Sequence, residues 1–124
     1  MCRTTVKSII FPVLLLICFS CSRSKELEKD ASVIANAMCR SIEIMNKLKA
    51  VSSQDTMSIN NLQTSYHDLQ KEMENLYSDF RKKYEKRMND PQFNKDFSNE
   101  LRKAILNCPF LSKEDREKYA KEIN

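Results

Sequence analysis

The side chains able to do chemistry are few and scattered. The only histidine, His67, has Gln63, Thr64, Gln70 and Lys71 as its neighbours one helical turn away. No carboxylate or thiol stands at metal-ligand spacing beside it, so nothing points to a zinc site or to general acid–base work there. Asp and Glu are spread among Lys and Arg as solvated faces. No carboxylate pair is isolated among apolar residues, where its pKa could be tuned. The serines have no neighbouring base, and Tyr66, Tyr77 and Tyr84 read as packing residues with wet hydroxyls. The 124 residues include no Gly, so phosphate-cradling loops and dinucleotide fingerprints are excluded. The expectation is no enzyme, no metal and no cofactor. What remains are cysteines and one basic run, Arg81-Lys82-Lys83-Tyr84-Glu85-Lys86-Arg87.

The first cysteine of interest, Cys21, closes a leader-like segment. Arg3 and Lys7 precede an apolar run, Ile9 to Phe19, interrupted only by Pro12. Crossing a bilayer core takes about 20 apolar residues, so this run is too short to span and suits a secretory signal. The run ends in Ser20-Cys21-Ser22, which resembles a bacterial lipobox. Cys18 and Phe19 stand where the usual pattern has Leu and a small or β-branched residue; looser versions occur in Bacteroidota and spirochaetes. The resemblance implies cleavage before Cys21, diacylglycerol on its thiol and acylation of the new N-terminus. Ordinary secretion with cleavage near Ser20, or an uncleaved anchor, are the other readings. Lipid chains supply about 0.8 kcal/mol per buried methylene, so several of them hold firmly. The expected organisation is a signal peptide at 1–20, a polar tether at 21–25 and one helical domain at 26–124. Loss of Arg3 and Lys7 takes the formal charge from +4 to +2, which argues against a nucleic-acid partner.

The elements that position these residues are helices. The apolar residues Ile59, Leu62, Tyr66, Leu69, Met73, Leu76 and Phe80 recur at spacings of three and four, the pattern of a helix laid along a partner. This second helix is expected to run to Met88 and to organise the chain. The first helix should start at a Ser24 cap and end near Ala50. Its main stripe is Leu27, Ala31, Ile34, Met38, Ile42, Met45 and Leu48. A second stripe, Val33, Ala37 and Ile44, implies cover on two sides or self-association. Val51 to Met57 reads as a loop. Asp90-Pro91 starts a third helix carrying Phe93, Phe97, Leu101, Ala104, Ile105 and Cys108, which Pro109 stops. Ser112 to Asp115 is a capping box for a short last helix, Lys113 to Ile123. The fold class is all-α: an antiparallel three-helix bundle, or coiled-coil hairpin, with a short fourth helix.

Lengths then fix levels. At 1.5 Å per residue the first two helices span roughly 40 and 46 Å, and their short loop makes them antiparallel neighbours. The third helix starts at about the level of residue 20 and brings Cys108 to about the level of residue 38. Cys39 is one residue away. With Cys21 lipidated, Cys39 and Cys108 are the mature chain's only cysteines, in a compartment that permits disulfides. A bridge would close a loop of about 70 residues and restrain the unfolded chain by roughly 4 kcal/mol. Two buried thiols, or a reactive or metal-binding pair, are the alternatives. The same levels put Arg81, Lys82, Lys83, Lys86 and Arg87 near the lipid end, where they either face anionic head groups or simply complement the helix dipole.

From the lipobox through Asp30-Ala31, Met38-Cys39-Arg40, Lys71-Glu72-Met73-Glu74, Asp90-Pro91-Gln92-Phe93 and Cys108, the chain resembles small helical lipoproteins of Bacteroidota. That resemblance implies a lipid-anchored protein of the cell envelope, at the outer membrane or cell surface, and carries over no functional residue except Cys21. Two roles follow as expectations. One is a structural or protein-binding module, with a protein partner or a second copy held through helix one. The other is a carrier holding an apolar ligand, lined by Met38, Met45, Met73 and Phe80.

Overall fold

The structure is a computed structural model that describes residues 10–123, with side chains from Ser24 onward. The start of the expected signal peptide and the side chain of Cys21 lie outside the described residues. The architecture is all-α, with α1 (Ile10–Ala50), α2 (Thr56–Lys83), α3 (Pro91–Ile105) and α4 (Lys113–Glu122). No strand occurs among the described residues. No described helix is long and apolar enough to cross a membrane.

Helix α1 differs from the expected element at its start. It is one unbroken helix of 41 residues, so Ser24 lies in its interior and the polar stretch 21–25 is helical. The chain holds no Gly to interrupt it. At 1.5 Å per residue α1 is about 60 Å long.

The organising element is α1 and not α2. Helix α1 packs against both α2 and α3, and α4 leans on α3. Its buried residues Leu27, Ala31, Ile34, Ala35 and Ala37 serve two partners at once. Three of them are alanines, which let the neighbouring backbones come close. The heptad stripe on α2 misleads because its loop-end residues Ile59, Leu62 and Tyr66 are only half covered; Leu69 and Phe80 alone are buried there.

Helix α2 ends at Lys83, short of the expected Met88, and the chain tightens into a 3-10 turn at Glu85–Arg87. Pro91 limits only how far such a turn can run. Proline disfavours helical backbone in the residue before it, and Asp90 is extended at φ −85°, ψ 113°. Asp90 then caps α3 by accepting from the Gln92 amide at 3.0 Å. Ser112 caps α4 by accepting from the Asp115 amide at 3.0 Å, and the Asp115 carboxylate accepts from the Ser112 hydroxyl at 2.6 Å, where a full capping box would use the Ser112 amide.

The core has two parts. The one nearer the chain start joins Leu27 and Ile34 to Phe80, Tyr84 and Phe93, flanked by Phe97, Leu76 and Met88. The other joins Ala35 to Ile105, Cys108 and Leu111, flanked by Cys39, Ile42 and Tyr119. Met38 and Leu101 touch both. Phe93 is fully buried. Its ring lies 5.0 Å from Tyr84 and 6.2 Å from Phe80, with Phe97 a further 4.2 Å from Phe80. These rings are where α2 meets α3.

Candidate functional site

The level matching holds. Cys39 and Cys108 are joined by a disulfide with an S–S distance of 2.03 Å and Cα atoms 5.5 Å apart, across 69 positions of sequence. Cys108 is 4% exposed. The bond pins the turn after α3 to the middle of α1. Arg116 of α4 reinforces that turn: its guanidinium donates to the carbonyl of Leu106 and, at 2.8 Å, to that of Cys108. These carbonyls follow the end of α3, where the regular helical donors stop; that of Cys108 also accepts from the Leu111 amide at 3.4 Å. Nothing in the spacing of Arg116 announced this role.

The basic run is divided by the fold. Lys83 reaches α1, 2.6 Å from Asp30 and 2.9 Å from Glu26. Both carboxylates hold its ammonium well above the usual lysine range, Asp30 most strongly. Tyr84 donates its hydroxyl to the same Asp30 oxygen at 2.9 Å. Burial, then the Asp30 bond, push the phenol up to about 12. The expectation of a wet hydroxyl on Tyr84 is thus corrected: packing on Phe80 and Phe93 takes it inside, and Asp30 satisfies it. Arg87 covers the Phe93 ring, its guanidinium carbon 4.5 Å from the ring centre. All five cations stay exposed, but Arg81, Lys82 and Lys86 make no ion pair with another helix among the described residues; Lys82 lies 3.9 Å from Asp79 on its own helix. Arg81 and Lys86 have no ion-pair partner among the described residues.

The second stripe of α1 is mostly used inside the chain. Ala37 is fully buried and Ile44 half-buried, while Val33 stays 43% exposed. Of the residues considered for an internal ligand, Met38 and Phe80 belong to the packed core and Met45 faces solvent. Met73 lines an open groove of about 620 Å³ along α2. Tyr66, Leu69, Met73 and Tyr77 form its apolar wall, and Ser41 of α1 borders it. Arg81 and Lys82 close one end.

His67 is exposed. No group of three or more His, Cys, Asp or Glu able to hold a metal occurs among the described residues. At the far end of the hairpin, Met57 is 75% exposed and Met45 and Phe110 are exposed to about half that extent. Asn46 donates to the Phe110 carbonyl at 3.1 Å, so Met45 and Phe110 share a level on the bundle. Compared with known protein families, with curated proteins and with solved structures, the chain matches none.

Proposed function

We propose that this is a lipid-anchored protein of the cell envelope, tied through Cys21, that works by contact and performs no chemistry of its own. The observation that carries this reading is the continuity of α1. One helix runs from within the leader-like segment, through Cys21, to Ala50. Lipid at Cys21 would set the Val51–Asp55 turn about 44 Å along the helix from the attachment point. Met57, Met45 and Phe110 are exposed toward that far end, where apolar side chains on a solvated surface favour a protein partner. A second copy held through helix one has less to grip, since the buried alanines are already used within the chain.

The test is metabolic labelling with a palmitate analogue, followed by fractionation of the envelope. The wild-type chain takes up label and sediments with membranes, and Cys21→Ser does neither. Label that persists in Cys21→Ser removes the anchor. Crosslinkers placed at Met57 and at the exposed face of α4 then compare the two surfaces. Trapping of one partner from Met57 alone supports the contact role, and equal, non-specific trapping from both overturns it.

A further inference from the structure

We propose that the groove along α2 binds a long-chain carboxylate, its acyl tail against Tyr66, Leu69, Met73 and Tyr77 and its head on Arg81 and Lys82. The groove is polarised. Its apolar wall occupies the loop-side part of α2, while its two cations stand at the other end. A neutral hydrocarbon would leave those cations unused, and a compact anion would leave the wall bare. A single-chain anionic amphiphile matches both halves. Its volume of about 620 Å³ lies within the usual range of roughly 300–1,000 Å³ for ligand clefts.

Neither cation is held by another helix, and the one ion pair between them, Lys82 with Asp79, is long and exposed. Lys83 and Arg87, their neighbours, are committed to Asp30, Glu26 and the Phe93 ring. Arg81 has no ion-pair partner among the described residues, and Lys82 approaches Asp79 only to 3.9 Å. A planar guanidinium presents a fork of donors that fits a carboxylate. Glu74 also borders the groove, but it lies seven residues from Arg81, about 10 Å along the helix, and does not neutralise it. The contribution of α1 is the small side chain of Ser41, which leaves the groove open. The inference does not depend on Cys21 and survives loss of the anchor.

The probe is a diazirine-bearing long-chain fatty acid, photolysed with the full-length chain in phosphatidylcholine nanodiscs. That bilayer has no net charge, so electrostatic docking on an anionic surface by the same cations is not read out. Adducts should concentrate on Tyr66 to Tyr77 and fall at least fivefold in R81Q/K82Q. They should fall similarly in Ser41→Phe, which fills the groove. The matching fatty alcohol should compete at least tenfold less well than the acid. Both variants are checked for native helicity and an intact disulfide. Adducts spread evenly over the helices, labelling unchanged in both variants, or covalent dimers in place of adducts would each overturn the proposal.

Discussion

Tyr84, just past the end of α2, donates a hydrogen bond of 2.9 Å to Asp30 of α1, beside the ion pairs of Lys83 with Asp30 and Glu26. Burial first, and the Asp30 bond second, make the phenol hold its proton more tightly folded than unfolded, at about 12 against 10.0. The stabilisation is complete below pH 10 and is lost as the pH climbs from about 10 to about 12. Lys83, also raised, acts with the same sign at still higher pH. Urea unfolding at pH 7, 9 and 11 should show a plateau and then a fall. Tyr84→Phe should lower stability by about 1 kcal/mol at pH 7 and flatten the alkaline decline. A decline equally steep in the variant would show that Tyr84 is not its source.

The Cys39–Cys108 bridge should contribute about 2–4 kcal/mol, since it closes a long loop in the unfolded chain. The measurement is chemical denaturation with and without reductant, beside a C39A/C108A variant. Two alkylatable thiols in unfolded, unreduced protein would sink the bridge itself.

Arg116→Met keeps most of the side-chain volume but strips donors from the carbonyls of Leu106 and Cys108. The expected loss is about 1–3 kcal/mol, appropriate to hydrogen bonds from a charged group. Amide exchange should quicken around residues 105–116 and stay slow in α2. An effect spread uniformly over all helices would show that Arg116 does not hold this turn locally.

Phe93 is the most completely enclosed large side chain. Phe93→Ala should cost about 3–5 kcal/mol through lost burial and a residual cavity. Met57→Ala, at a site 75% exposed, should leave the thermal midpoint nearly unchanged. Similar shifts for the two would contradict the placement of the core.

Much of the fold follows from local signals that the sequence carries openly. Asp90-Pro91 and the Ser112 cap act within one turn, so they could be read residue by residue and stand where expected. Rise per residue was enough to bring Cys39 opposite Cys108. The hub was misread because periodicity shows that a face is apolar and not how much cover it receives. The stripe on α2 is the more regular, yet the alanines of α1 admit closer neighbours. Cross-helix polar partners were illegible for another reason. Whether Lys83 turns inward to Asp30 while Arg81 faces water depends on rotation about the helix axis, which charge order along the chain does not specify.

The bond between Cys39 and Cys108 also changes what a cut backbone means. It joins α1 to the segment after α3, on either side of the exposed turn at Val51–Asp55. A protease that clips this turn therefore yields two polypeptides but a single covalent molecule, which separates on a gel only after reduction.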